Sequence, residues 1–460
     1  MPSAPPPEDP RVRFAAERTA LARACAGLVM PGSGFVAARL GLCSRGRAAI
    51  GRARVAVPLA LALLLPASVQ AAPAVSVDEP TVVRRALART AVADIVEGDV
   101  EAARATALEL RTWQNPELAY TREQTYGPAG TGEDYLWLGQ TFDIGGRRSL
   151  RGRAALLRSE GAAARGESFK ISLAAEVRQR YHEVLYRRLR AEALAVWSQR
   201  LGTALTAIAA REKAGDVARY DRRRLERELA LARAREEVEA SALVKAWARL
   251  AALSDLDAAT PQAVPGALLP ATRPEPADQY LARARARPDI RALERAEAAT
   301  EIDHKAAGRA RVPELTLGAG WKGVQYASQR SDGFILNAAM TLPVVDRGQG
   351  PRRRALAEGQ ALRGRVALAR QELTGEVLGL RVEADRLHVL AEQFTRDRRR
   401  DAEDLMRIAD AAYRGGELGI LELLDAFRGA VDDELQGLEL ALLARRARID
   451  LERTAGGGLP

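Results

Sequence analysis

The sequence is poor in the residues that build disulfide frameworks, metal sites and multiple compact cores. Its two cysteines, Cys25 and Cys43, are too few for a disulfide scaffold. The three histidines, His182, His304 and His388, each stand alone in a helical run without an H-x-x-x-H or Cys partner, so no zinc-site spacing is present. Seven Phe, five Trp and four Met are few for the three or so domains that 460 residues would allow. After residue 72 no run of about 18 apolar residues occurs, which excludes a polytopic helical membrane protein. No nucleophile–base set is evident. Gly318-Ala319-Gly320-Trp321-Lys322-Gly323 matches G-x-G-x-x-G, but its glycines alternate inside a strand pattern. A dinucleotide site needs them in a strand-to-helix turn. An enzyme is not expected, nor a cofactor or a bound metal. What the chain has in abundance is Ala, Leu, Arg and Glu, the composition of long helices.

Residues 55–69 read VAVPLALALLLPASV, preceded by Arg45, Arg47, Arg52 and Arg54 and followed by a small-x-small pattern at Val69-Gln70-Ala71. A positive flank, a short apolar run and an A-x-A-like site predict a secretory signal peptide cleaved after Ala71. The leader, residues 1–71, is over-long and basic, and Met30 is an alternative start. Its removal takes nine Arg and three acids, leaving 61 basic and 57 acidic residues, net +4. The charge that would suggest a nucleic-acid partner largely leaves with the leader. Both cysteines leave too.

The remainder reads as two copies of one plan. Asn115-Pro116-Glu117-Leu118 and Val312-Pro313-Glu314-Leu315 each open a pair of alternating strands. Ala214-Gly215-Asp216-Val217 and Gly415-Gly416-Glu417-Leu418 each break a very long helical run. The first repeat is expected over residues 79–259, with strands near 117–126 and 134–142 and helices near 147–212 and 219–253. A linker over 260–278 carries Pro261, Pro265, Pro270, Pro274 and Pro276, which no helix tolerates. The second repeat is expected over 279–454, with strands near 314–326 and 333–342 and helices near 350–414 and 420–453. A short tail, 455–460, follows. Helical periodicity is explicit in Ile171, Ala174, Val177, Tyr181 and Leu185, and from Val366 through Leu373, Val377, Ala384 and Ala391. At ~1.5 Å per residue each long helix would span roughly 95 Å, a length for coiled coils and tubes.

The strands alternate Leu315, Leu317, Ala319, Trp321 against Thr316, Gly318, Gly320, Lys322, and Phe334, Leu336, Ala338, Met340 against Ile335, Asn337, Ala339, Thr341. About ten residues of such alternation suits a transmembrane barrel strand. Four strands cannot close a barrel in lipid, because the edges would stay unpaired. Either several chains share one barrel, or the sheet is soluble and the protein is an exported periplasmic coiled-coil scaffold without a pore.

Two further features stand out. The turns Asp143-Ile144-Gly145-Gly146-Arg147-Arg148 and Asp346-Arg347-Gly348-Gln349-Gly350 sit where a strand becomes a long helix. The plain reading is geometric, with Gly supplying unusual dihedrals and Arg binding carbonyls or carboxylates. Past the second break, Glu422 and Asp425 share a helix face at i, i+3. A packed stripe of Leu421, Leu424, Phe427, Val431 and Leu435 is expected beside them.

Signal peptide, two repeats, P-E-L strand entries, the G-G-R-R and D-R-G-Q turns and the segment G-E-L-G-I-L-E-L-L-D-A together resemble the TolC-type outer-membrane factors, over roughly residues 80–454. The turns are most similar to the CzcC-like branch, associated with heavy-metal efflux. The resemblance implies a mainly α protein with a small β part. Long antiparallel helical hairpins would form a trimeric tunnel in the periplasm, and four strands per chain would enter a shared twelve-stranded outer-membrane β-barrel. It implies a passive homotrimeric duct that works with a periplasmic adaptor and an inner-membrane pump, of the RND type for this branch. It assigns Glu422 and Asp425 to the periplasmic gate. It also brings Arg211, Lys213, Gly215, Asp216, Arg414, Gly416 and Glu417 to the adaptor-contact tips, and Gly145, Gly146, Arg147, Asp346, Arg347 and Gly348 to the strand-to-helix turns.

Overall fold

The computed structural model describes residues 76–127, 130–326 and 329–459. The expected signal peptide and its cleavage site lie outside these residues. The chain order is α1 (Glu79–Leu87), α2 (Thr90–Arg111), β1 (Glu117–Gln124), β2 (Thr131–Phe142), α3 (Arg147–Ala214), α4 (Arg219–Ser254), α5 (Ala277–Arg285), α6 (Pro288–Gly308), a 3₁₀ turn (Arg309–Arg311), β3 (Leu315–Tyr326), β4 (Gln329–Met340), α7 (Gln349–Gly415) and α8 (Ile420–Thr454). A strand pair, a very long helix, a tight break and a second helix thus occur twice in the same order.

The long helices follow from their apolar periodicity. Along α3 the stripe Ile171, Ala174, Val177, Tyr181 and Leu185 is wholly buried. Along α7, Val366, Leu373, Val377, Ala384 and Ala391 are buried, with Ala369, Leu380 and Leu387 packed partly against the core. A stripe this narrow on a helix of 68 residues makes an elongated seam rather than a ball-shaped core. The seam divides into successive apolar clusters. One gathers Tyr181, Leu185, Trp247 and Leu250 against Val82 and Val83 of α1. Another joins Leu201, Leu225 and Leu229 to Ile420, Leu424 and Val431 near the helix breaks.

The proline-rich stretch between α4 and α5 is pinned to the helices. Arg445 of α8 donates to the carbonyls of Ala267, Leu268 and Leu269 at 2.9, 2.7 and 3.1 Å. Tyr181 donates to the Pro265 carbonyl at 2.6 Å, and Trp247 Nε1 to that of Asp257 at 3.0 Å. Val264 and Leu268 are buried. Prolines that cannot form ladder or helix bonds thus leave carbonyls that side chains satisfy.

The four strands form one antiparallel sheet in the order β1-β2-β3-β4. β2 and β3 carry the junction between the repeats, in register from Thr131↔Tyr326 to Phe142↔Leu315. The pairs Leu118↔Leu138, Ala319↔Leu336 and Trp321↔Phe334 put the alternating apolar residues of all four strands on one face. That face is open: Leu118 is 68% exposed, Leu336 74% and Phe334 81%. The opposite face is polar and filled by side chains. Lys322 Nζ meets Glu133 at 2.8 Å, and the Thr141 and Thr316 hydroxyls are 2.9 Å apart. The Trp137 ring lies across Gly139 and Gly318, where a Cβ would come within 2.2 and 2.9 Å of it. The dinucleotide-like run 318–323 lies wholly within β3. Among the described residues β1 and β4 pair on one side only.

The start of the described chain is held by charge. Asp78 Oδ1 caps α1 by accepting from Thr81 N at 3.2 Å. Arg178 of α3 bridges Glu79 at 2.5 Å and Glu452 of α8 at 2.7 Å. His182 Nε2 donates to Glu79 Oε2 at 3.0 Å. Burial acts to raise the Glu79 carboxyl, but the His182 hydrogen bond and the Arg178 charge outweigh it, and the group is lowered to about 2. Burial lowers His182, against the opposing Glu79 bond. A carboxylate lowered on folding stabilises above its unfolded value and loses that contribution as pH falls toward its folded value. A lowered imidazole loses its contribution as pH falls below its ordinary value, so both groups act in the same direction. Thermal unfolding followed by circular dichroism should show stability falling from about pH 6.5, where His182 begins to charge in the unfolded chain, down to about pH 2, where Glu79 is protonated. Glu79→Gln should cost on the order of 2 kcal/mol at pH 7 and flatten that slope. A slope unchanged in the variant would remove Glu79 from the account.

Candidate functional site

The two helix breaks are built alike. α3 ends on Gly215, whose φ of 86° is left-handed, and α7 ends at Gly416, with φ 76°. Asp216 N donates to Arg211 O at 3.0 Å and Gly215 N to Glu212 O at 3.0 Å. Glu417 N donates to Ala412 O at 2.9 Å and Gly416 N to Tyr413 O at 3.2 Å. Both are Schellman closures, which need a residue without a Cβ at the left-handed position. Val217 and Leu418, the next apolar residues, pack partly into the same cluster. The breaks are therefore folded corners, and Lys213, Asp216, Arg414 and Glu417 stand exposed on them.

Arg211 is turned inward. Its guanidinium lies 5.7 Å from the Tyr413 ring of the other hairpin, which ties the two corners together. Arg414 pairs with Asp410 at 2.7 Å, one turn back on its own helix. The corners differ in charge. Residues 211–235 carry nine basic and five acidic residues, whereas 412–436 carry two and six.

Glu422 and Asp425 lie in the first two turns of α8, and both are exposed. The stripe beside them needs correction. Leu421 is 47% exposed, and the buried positions are Ile420, Leu423, Leu424 and Val431, with Phe427 partly covered. Helical geometry explains the change, since Ile420, Leu424, Phe427 and Val431 recur at gaps of three and four and Leu421 falls to their side. Glu422 also has local work. Its Oε2 would be 2.9 Å from a Cβ on Gly419, so the side chain folds back over the helix start, where a carboxylate suits the dipole. Asp425 acts electrostatically on Arg428.

Arg428 was not singled out in the sequence, yet it makes the main polar link between the repeats here. Its Nε donates to Glu228 Oε1 at 2.8 Å, and Nη2 donates to Oε2. Glu228 is 6% exposed. The Arg428 hydrogen bond holds its carboxyl below the usual range, against burial. The two residues are 200 positions apart, near the offset of the two glycine corners, so they hold near-equivalent places in the two repeats. A fork-to-fork pair is geometrically demanding.

The strand-to-helix turns perform structural work. Gly146 and Gly348 have φ of 67° and 77°, and a Cβ on Gly348 would come within 2.4 Å of the Ala307 carbonyl. Arg147 pairs with Glu314, at the entry to β3. Gly348 N donates to Asp346 Oδ1 at 2.9 Å, and Arg347 Nε to Val344 O at 3.1 Å. Gly145 packs under Val312, where an added Cβ would sit 3.0 Å from the Val312 Cβ. Among the described residues no group of three His, Cys, Asp or Glu side chains is arranged to hold a metal ion.

No family model matches the sequence. The chain is similar to the nickel-cobalt-cadmium resistance protein NccC of Alcaligenes xylosoxydans xylosoxydans, 25% identical over 340 residues, 70% of this chain and 73% of that protein. Its fold matches the outer membrane protein VceC of Vibrio cholerae at TM-score 0.68 and 17% identity, over 83% of this chain and 97% of that one. It matches the CmeC outer membrane channel of Campylobacter jejuni at 0.69 and 14% identity, over 83% and 86%. It matches the MtrE outer membrane channel of Neisseria gonorrhoeae at 0.64 and 22%, over 83% and 89%. The fold is the one that these outer membrane channels share. The chain has the TolC-type fold, and the resemblance read from its sequence holds at that level.

The Glu228–Arg428 link is testable by a double-mutant cycle on thermal unfolding with Glu228→Gln and Arg428→Met. Arg428 is 42% exposed, so the coupling should be about 1.5 kcal/mol rather than that of a fully buried pair. Additive single effects would show that the fork contributes nothing of its own.

Proposed function

We propose that this protein is the outer-membrane channel of a tripartite efflux assembly. It is a passive homotrimeric duct and not an enzyme. One observation carries the reading: a four-stranded sheet with an open apolar face and two free edges, continuous with helices of 68 and 67 residues. Apolar side chains on such a sheet suit lipid, and its free edges require strands from other copies. Three copies give a barrel of twelve strands, with the polar face of Lys322, Glu133, Thr141 and Thr316 turned to the lumen. The shared fold with outer membrane channels supports this assignment and the outer-membrane location.

The likeness to NccC supports a cation as the cargo, in the class its name prints. On this reading Glu422 and Asp425 of three copies form carboxylate rings at the periplasmic end, which favour cations over anions. The exposed corners at Lys213, Asp216, Arg414 and Glu417 meet the periplasmic adaptor, behind which stands an inner-membrane pump of the RND type. Arg211, held against Tyr413, braces the corner from within.

In planar bilayers the wild-type protein should conduct and be blocked by divalent cations. Glu422→Gln with Asp425→Asn should raise single-channel conductance or abolish the block. An unchanged block would put the gate elsewhere, and absence of any conductance would overturn the duct itself. Cysteines at Asp216 or Glu417 should crosslink to the adaptor in cells. Crosslinks arising only near Trp137 or Trp321 would invert the proposed orientation.

A further inference from the structure

The apolar face of the sheet is shorter than a membrane requires. Its outer end is marked by a charged row, Arg122–Asp134–Gly323–Asp332, in which Arg122 meets Asp134 at 3.4 Å. Its inner end is the row Phe142–Leu315–Met340. Asp332 and Met340 are eight residues apart on β4. At about 3.3 Å per residue and a strand tilt of about 40°, that is roughly 20 Å of height, against the roughly 25 Å of an outer-membrane apolar band. The missing height is supplied beyond the strands. Leu342, Val344 and Val345, which follow β4 outside any strand or helix, are 69, 65 and 87% exposed. Ile144, in the turn after β2, and Trp113, ahead of β1, are exposed as well. They share one level, since the Trp113 ring packs edge-on against Phe142 at 5.8 Å and Thr341 N donates to Glu314 O at 3.4 Å.

Next to this apolar collar the chain turns basic. Residues 143–154, 309–314 and 346–354 together carry ten arginines against three acids. Contacts hold the three segments together: Arg147 pairs with Glu314, Gly145 packs under Val312, and Gly348 lies against Ala310. Among the described residues only Arg147 of the ten is in a salt bridge. Arg151, Arg153, Arg353 and Arg354 are exposed. Helix stability does not account for them. Cations at the start of a helix oppose its dipole, and neither α3 nor α7 has an acid in its first turn.

We propose, resting on the channel reading that sets the sheet in lipid, that the collar and the arginine belt form a binding surface for anionic phospholipid of the inner leaflet of the outer membrane. The exposed apolar side chains take the acyl chains nearest the headgroups, and Trp113 stands at the interface. The guanidinium groups pair with the phosphates and attract the anionic lipid. Apolar area beside a basic stripe is the combination that holds a protein surface at a membrane interface.

The test uses the purified protein in phosphatidylethanolamine vesicles. Electron paramagnetic resonance of spin-labelled phosphatidylglycerol and phosphatidylethanolamine reads which lipid the protein surface holds. Wild type should prefer the anionic lipid by at least about fivefold, the effect of one basic residue at an anionic surface. Added salt should shrink that preference. Arg151→Gln, Arg153→Gln, Arg353→Gln and Arg354→Gln together should bring it near parity while leaving the thermal unfolding midpoint unchanged. Equal association of the two lipids with wild type would overturn the proposal, and so would an undiminished preference in the variant. Both cysteines lie in the expected leader, so Val345→Cys and Leu336→Cys can each carry a single nitroxide. Both labels should be more accessible to oxygen than to a water-soluble nickel chelate. A label at position 345 that favours the chelate, while that at 336 favours oxygen, would overturn the collar and leave the channel reading standing. A label at 345 shielded from both would show that another copy covers the collar, and would overturn it too. An aqueous label at 336 would overturn the channel reading and this proposal with it.

Discussion

A β-sheet with free edges sets the terms for the rest of the molecule. β1 and β4 each present a row of backbone N–H and C=O groups without strand partners, and the face between them is apolar and uncovered. Water would satisfy the edges but not the face, whereas lipid would satisfy the face but not the edges. In the proposed assembly, closure with strands of other copies answers both demands, and the polar opposite face, with the glycines that seat Trp137 and the ion pair of Lys322 with Glu133, lines the interior.

The helices extend what the sheet begins. Each strand pair passes through a glycine turn into a helix of nearly seventy residues, and each helix ends in a Schellman corner that sends the chain back. Because the apolar stripes are narrow, the described helices gather no thick core. Polar clamps fill that role at intervals. Arg178 holds α1 to α3 and α8, Arg445 holds the linker, and Arg428 grips Glu228 across the repeats. Arginine suits this work because its planar fork satisfies carboxylates and carbonyls in fixed directions. The arginine-rich composition is thus partly a consequence of the elongated shape.

Much of this was legible in the sequence, for physical reasons. Period-two alternation reports strands with one open face, so the apolar faces of all four strands could be read before their pairing was known. Glycine followed by an acid reports the corners, since only glycine takes the left-handed position cheaply. Only the first member of the packing stripe at the start of α8 was misread, Leu421 for Ile420, because both fit the helical period ahead of Leu424; Leu424, Phe427, Val431 and Leu435 pack as expected. The long-range clamps were not legible. Arg428 and Glu228 look like solvated charges on separate helices until the fold packs those helices together. The pinned linker was equally silent, because carbonyls that accept from Arg445 leave no mark in side-chain pattern. His182 read as an isolated histidine, and only the fold brings Glu79 to it.

The central claim is that the sheet is completed by other copies of the same chain in a membrane. Native mass spectrometry of the protein extracted from the outer-membrane fraction tests it most directly. The account predicts a complex of three copies that survives in detergent and is absent from the soluble fraction. A monodisperse monomer, stable in buffer without detergent, would contradict it.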